Sequence, residues 1–439
     1  MTVVDHPDGT VAPEPPAASD RSLWHNQDFL KFWSGEALSL FGSQITNLAL
    51  PLTAVIYFNA TAQQVGLLRF LQWAPYLFLA MLFGVWVDRY RRKPIMLLAN
   101  SVRLVAIAMV PLLAFYDLLP IGGLMVIACV VGIFSVLFEV SWLSFVPTLV
   151  KHPTRFVEAN QKMGVTQSTA DVAGPGAAGV LIGWLGPPTA LVVDALSYLA
   201  SLAMLLWIRT PEPAPPRAAQ RHVGRELLEG VRWVFGHRLL RPLALLAPFT
   251  NFSLTCVSTL FLLYAVRDKG LNAATVGLIL SVSAVGALVG ALVSRAIIRR
   301  FPVGLVYGVA LAAIYTTPLL IPLADGPRPV VVGLFMLSLL LGYLGSGLSN
   351  VVQLTIRQTS TPTALMGRMN AAFRTLLFGG AALGGLVAGL IGGAMSLRAA
   401  LTVVAVGSAA MVVPLALSSV VRLRTMPEPV GDPAPAGTD

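Results

Sequence analysis

The sequence predicts an all-α integral membrane protein of twelve transmembrane helices, built as two six-helix pseudo-repeats. Three observations predict it. Apolar residues make up 56% of the 439-residue chain, charged residues only 11%, and the mean hydropathy is +0.76. A soluble domain carries about 25% charged residues and needs far more polar surface than this chain could supply. The apolar residues fall in continuous blocks of roughly 20, the length a helix needs to cross a ~30 Å hydrocarbon core. Finally, the basic residues gather between the blocks, and the second half of the chain repeats features of the first.

Backbone polar groups in lipid must be satisfied inside a helix or a closed barrel. The blocks are continuous rather than alternating, which selects helices. Spans are expected near 29–58, 64–88, 93–116, 121–149, 157–185 and 189–208, then near 242–266, 272–298, 303–323, 329–356, 365–393 and 398–421. These set a first bundle at 24–208 and a second at 242–424. Residues 209–241 form the one long linker, with Pro211, Pro213, Pro215, Pro216 and a run of arginines. Within it, Arg225 to Phe235 suits a short amphipathic helix on the membrane surface. Residues 1–23 are rich in Pro, Asp and Ala and read as a disordered cytoplasmic tail rather than a signal peptide; 425–439 form a second tail.

Basic residues orient the spans. With the N-terminus inside, the outer loops hold four of the 30 Lys and Arg: Arg267, Lys269, Arg328 and Arg398. Three more, Arg69, Arg103 and Arg374, lie within spans, and the other 23 fall on the inner side. Both termini are therefore expected in the cytoplasm of a multi-pass protein of the cell membrane. The net charge of +10 reports topology here, not nucleic-acid binding. Cys129 and Cys256 sit in apolar blocks of opposite halves, so neither a disulfide framework nor a metal cluster is expected.

The repeat is visible in residues. Gly84-Val-Trp-Val-Asp88-Arg89 closes the second span and Gly290-Ala-Leu-Val-Ser294-Arg295 the eighth. Gly174, Gly179 and Gly183 of the fifth span match Gly384, Gly389 and Gly393 of the eleventh, an offset of roughly 206 to 210 residues. Parallel repeats of this kind belong to transporters that rock one half against the other around a midplane site.

The segment Gly84 to Pro94, GVWVDRYRRKP, resembles the cytoplasmic loop motif of the major facilitator superfamily and stands at the matching place. Gly174-Pro175-Gly176-Ala-Ala-Gly179 resembles the helix 5 motif of its antiporter branches. Ser39 to Gln44, Ala49 to Leu52 and Val193 to Tyr198 are similar to bacterial macrolide-efflux and siderophore-exporter relatives. The resemblance spans residues 24–424. It implies the major facilitator fold and a proton-coupled drug or metabolite exporter, with multidrug or antibiotic resistance as the associated role. One departure matters: the drug-antiporter pattern has an arginine in the fourth span, and this chain carries Glu139 instead.

The candidate site residues fall into four groups. Asp88, followed by Arg89, Arg91 and Arg92, can accept hydrogen bonds from a helix N-terminus of the second half and act as a gate, with Gly84 in the same motif. Around Pro175, which kinks a helix, Gly174, Gly176 and Gly179 permit close helix approach. Ionisable groups inside a membrane mark pathways and relays. Glu139 and Arg103 each lie about ten residues from the cytoplasmic ends of their spans, about 15 Å deep, and could pair. Asp171 and Glu36 are further proton-coupling candidates, Glu36 sharing a polar stripe with Ser39, Ser43 and Thr46 or Asn47. Asp194 and Arg69 read as structural.

The family places the first, fourth, seventh and tenth spans around the cavity, which brings forward Gln44, Asn47, Trp142, Asn251, Asn350 and Gln353. A largely apolar cavity with few polar groups suits a small amphipathic organic substrate. The expected energy source is the proton gradient, with no cofactor, no metal, and a monomer in the lipid bilayer. No G-x-x-x-x-G-K-[ST] occurs, and no catalytic constellation points to an enzyme. A proton-coupled importer on the same fold, and a non-transporting membrane protein, remain as alternatives.

Overall fold

The computed structural model describes residues 23–150, 153–212, 223–362 and 365–427. The N-terminal tail, the C-terminal residues from 428, the proline run at 213–222 and the side chain of Asp88 lie outside the described residues. Among the described residues no strand occurs. The first half contains α1 (Gln27–Leu52), α2 (Ala62–Arg89), α3 (Arg92–Phe115), α4 (Ile121–Leu149), α5 (Pro153–Leu185) and α6 (Pro187–Trp207). A linker helix, α7 (Val223–Gly236), follows. The second half contains α8 (Leu240–Leu263), α9 (Ala273–Arg300), α10 (Val303–Thr316), the short α11 (Leu320–Leu323), α12 (Arg328–Thr359), α13 (Met366–Ala394), α14 (Leu397–Ala410) and the short α15 (Val412–Leu417).

Among the described residues, ten helical stretches are long and apolar enough to cross a membrane, two fewer than the sequence leads one to expect. The long helices outside that set are α2 and α5, of 28 and 33 residues; α5 carries Glu158, Lys162 and Asp171, and the side chains of Met81, Val85 and Asp88 on α2 lie outside the described residues.

The repeat extends into backbone detail. The first and seventh spans both end in a π-helical turn, Thr53–Tyr57 after α1 and Tyr264–Asp268 after α8. The next helix of each half then starts on a side-chain cap. Thr61 accepts from the Gln64 N–H at the head of α2, and Asn272 accepts from the Thr275 N–H at the head of α9. A polar N-cap satisfies a donor that the helix itself leaves unpaired.

The halves meet along two seams, α2 against α13 and α5 against α9. Both are closed by glycine. A Cβ added to Gly179 would lie 2.9 Å from the Gly277 Cα, and one added to Gly389 would lie 2.8 Å from the Gly66 Cα. Only bare backbones can approach this closely. Both contacts lie towards the end of the bundle that carries the α1–α2 and α8–α9 turns. The opposite end carries Arg89, Arg91, Arg92 and Lys93 between α2 and α3, and Arg299 and Arg300 at the close of α9. We call it the basic end.

The apolar cores differ between the two ends. At the turn end one continuous core joins both halves, with Leu48, Val65, Ala178 and Ile182 of the first packed in the same cluster as Phe261, Val276, Ile279 and Ala388 of the second. At the basic end the core is split. Phe29, Phe32, Met96, Phe145 and Met163 form one cluster in the first half, while Tyr307, Val352, Met369 and Phe373 belong to another in the second. The halves are thus welded at one end and separately packed at the other.

Candidate functional site

Among the described residues, two large cavities lie between the weld and the basic end. The first, about 530 Å³, sits between the halves. Gln44 and Asn47 of α1, Arg69 and Trp73 of α2 and Asp171 and Pro175 of α5 face Phe261 of α8, Leu280 of α9 and Tyr343 and Asn350 of α12 across it. The second, about 490 Å³, lies wholly inside the first half and is lined by Glu36, Asn47, Trp73, Tyr76, Arg103, Glu139 and Trp142, among others. Asn47 and Trp73 line both, so the two spaces adjoin.

The α1 stripe has a simple origin. Glu36, Ser39, Ser43, Thr46 and Asn47 recur at helical spacing and all line the inner cavity. Gln44 lies on the neighbouring face and donates to the Asp171 carboxylate at 2.7 Å, as Gln167 does at 2.8 Å. Asp171 therefore enters the inter-half cavity already oriented by two amides.

The expected pairing of Glu139 with Arg103 is not the one formed. Glu139 pairs with Arg374 of α13, its Oε1 2.8 Å from Nη2, across the boundary between the halves. Arg103 turns towards α6. Its Nη2 donates to the Tyr198 hydroxyl at 2.8 Å and its Nη1 to Asn100 Oδ1 at 3.2 Å, while the guanidinium lies 4.1 Å over the Tyr198 ring. The reason is that an aromatic ring and two hydrogen bonds already occupy the arginine on its own side. Asp194 accepts from Thr46 and Ser197, so the Val193 to Tyr198 segment ties α1 to α6.

Arg374 is a residue that sequence reasoning passed over. The signal was present: it is a cation inside an apolar span, as costly as Glu139 is, and each neutralises the other. Around the pair stand Phe378, 5.6 Å under the guanidinium, Trp73 stacked on Phe378 at 5.7 Å, and Tyr76 at 4.4 Å. Arg69, read as structural, instead reaches the inter-half cavity. Asn251 lines neither cavity and donates to the Ala247 carbonyl of its own helix; Gln353 also lines neither and is buried.

The two sequence motifs settle differently. At Gly174–Gly179 the Gly176 N–H, just past Pro175, donates to Ser281 Oγ of α9 at 2.7 Å, so this segment is part of the α5–α9 seam. In the Gly84–Pro94 loop no neighbour crowds Gly84. Among the described side chains, the carboxylate on a helix N-terminus there is Glu212, from the start of the linker. It accepts from the backbone N–H of Arg92 at 2.6 Å and of Lys93 at 3.1 Å, with the Arg92 guanidinium 3.7 Å away. At the far end of the linker, Glu229 of α7 meets Arg368 of α13 at 2.7 Å.

A sequence model of the Major Facilitator Superfamily matches residues 32–385. The chain belongs to the major facilitator superfamily. It is accordingly a membrane transporter and not an enzyme. An enterobactin exporter, EntS, from Citrobacter koseri is 29% identical over 406 residues, covering 91% of this chain and 93% of that one. The Escherichia coli protein of the same name is 28% identical over 365 residues, covering 82% and 84%. Among solved structures, the nucleoside transporter NupG superposes with a TM-score of 0.72 at 12% identity, over 89% of this chain and 98% of that one. A bacterial homologue of the iron transporter ferroportin, in an inward-facing state, gives 0.68 at 15% identity, over 91% and 100%. These two likenesses establish the major facilitator fold.

Proposed function

We propose that this protein is a secondary transporter that exports a small amphipathic organic molecule by alternating access, in exchange for protons. The observation that carries the reading is the unequal core: the halves share one apolar core at the turn end and split into two at the basic end, with the cavities between. The positive-inside rule makes the basic end cytoplasmic and both termini internal. In this arrangement the site faces the cytoplasm. Counting α2 and α5 as crossings, because each packs on a counterpart in the other half, brings the spans to twelve.

The cavity walls support an amphipathic cargo. Trp73, Phe261, Leu280 and Tyr343 supply apolar surface, and Gln44, Asn47 and Asn350 supply a few polar groups. The two EntS relatives support the outward direction and make a siderophore-like metabolite one class of cargo to test beside drugs. Glu36, Glu139 and Asp171 are the carboxylates within reach of the cavities for proton exchange.

The test is accumulation of a panel of macrolides, catechol siderophores and other amphipaths in cells lacking their native pumps. Expression should lower accumulation of at least one compound, and a protonophore should abolish the difference. Raised accumulation on expression would show an importer instead.

A further inference from the structure

The cavity inside the first half has an unbalanced charge. Three carboxylates and two guanidinium groups belong to it or its wall: Glu36, Asp194 and Glu139 against Arg103 and Arg374. Glu139 and Arg374 neutralise each other at 2.8 Å. Arg103 faces Asp194 and Glu36 together, and Asp194 is the one already satisfied, by the hydroxyls of Thr46 and Ser197. Glu36 is left over. It is only 7% exposed, yet among the described residues no group donates a hydrogen bond to it and no cation forms an ion pair with it; its Oε2 is closed off from solvent and unpartnered. A buried carboxylate that makes no hydrogen bond or ion pair is costly, and takes either a proton or a positive ligand.

The walls around it indicate which ligand. Trp73, Tyr76, Phe138 and Trp142 surround the same space. Aromatic faces attract cations through the negative charge of the ring face. The titratable groups around Glu36 in this cavity are Arg103 of α3, Glu139 of α4, Tyr76 of α2 and Tyr198 of α6, with Asp194 of α6 beyond, acting on Arg103, while α5 presents only neutral Asn160, Met163, Gly164 and Gln167.

We propose that this cavity is a binding site for an organic cation, an amine or onium group on an apolar or aromatic body, with Glu36 as its counter-ion and the aromatic side chains as its walls. The inference rests on the export reading, whose cargo it specifies by charge. A proton is the competing occupant of the same carboxylate, so uptake of the cation and release of a proton are one event at one residue. The adjoining inter-half cavity, reached past Asn47 and Trp73, receives the apolar body of a larger cargo.

The experiment uses the purified full-length protein in detergent and two probes of the same shape and opposite charge, tetraphenylphosphonium and tetraphenylborate, in equilibrium binding. The phosphonium should bind at least tenfold more tightly than the borate. It should be displaced as pH falls from 8 to 5. Glu36→Gln should weaken it tenfold or more without changing the borate, and Glu36→Asp, which keeps the charge, should retain binding within a few-fold. The conservative variant guards against mere misfolding. Equal affinity for the two probes, or phosphonium binding indifferent to Glu36→Gln, overturns the proposal; pH-dependent transport of neutral cargo lost in Glu36→Gln without phosphonium binding means a proton site only, and overturns it too. Binding needs no transport, so phosphonium binding without any efflux in cells refutes the export reading alone.

Discussion

Glu139 on α4 and Arg374 on α13 join the two halves through an ion pair of 2.8 Å, about 12 to 15 Å in from the basic end at 1.5 Å per residue. The helix α4 packs within the first half, whereas α13 packs both on α8 of its own half and on α2 of the other. The pair is therefore a strut between the two halves, and Glu139 also lines the cavity inside the first.

Because the pair joins the halves, breaking it should alter transport. Both side chains are about one-third exposed, so the pair contributes about 1 kcal/mol rather than the larger value of a fully buried one. Arg374→Ala should lower transport about tenfold while membrane insertion stays normal. The double variant Glu139→Arg with Arg374→Glu should recover most of it in reconstituted vesicles. Failure of the reversed pair to outperform both single variants would sink the strut.

The glycine seam should be intolerant of bulk. A side chain at Gly277 must displace the backbone of α5, and overpacking of this kind costs typically 1–3 kcal/mol. Gly277→Leu should leave the turn end unable to close. A cysteine placed at Leu280, in the inter-half cavity, should then react with an impermeant thiol reagent from the outside, where the parent with the same cysteine does not.

Glu212 should matter for stability more than for transport. It accepts two backbone N–H groups at the head of α3, and losing such a cap costs about 1 kcal/mol. Glu212→Ala should lower the thermal midpoint in detergent and leave the Kd for cargo unchanged. A changed Kd with an unchanged midpoint contradicts the capping role.

Asp325 governs acid behaviour at the turn end. It lies between spans, 3.4 Å from Lys269 and 3.6 Å from Arg398. The Gly326 N–H first, and then Lys269 and Arg398, hold its carboxyl below 3.8, the value of a free aspartate. A lowered pKa in the folded state means stability that is present above about pH 3.8 and lost as pH falls through the lower folded value. Between pH 5 and pH 3, the protection of the 324–328 loop against hydrogen exchange, taken relative to the intrinsic rate at each pH, should fall in the wild type. In Asp325→Asn the loop should already be poorly protected at pH 5 and change little below it.

Most of the architecture was legible in the chain because lipid imposes it: span length, loop charge and the glycine offset all follow from solvent and backbone chemistry. The α1 stripe was legible too, since helical spacing alone puts Glu36, Ser39 and Ser43 on one face. The partner of Glu139 was not. Depth along a helix can be read from residue counts, but azimuth across a bundle cannot, and Arg103 and Arg374 lie at comparable depths on different sides. Asn251 shows the same gap: a polar residue on an expected helix proved to satisfy itself on its own backbone. Glu212 was hidden because a helix cap reached from a distant linker leaves no local pattern.

On α2 and α5 the seam glycines and the named cavity side chains are different residues, whereas Phe261 and Val276 of the second half belong both to the shared core and to a cavity wall. On α2, Gly66 closes the seam and Trp73 and Tyr76 shape the cavity; on α5, Gly179 closes the seam and Asp171 and Gln167 face the cavities. On these two helices the cavity side chains can change shape and polarity while the glycine contacts between the halves stay as they are.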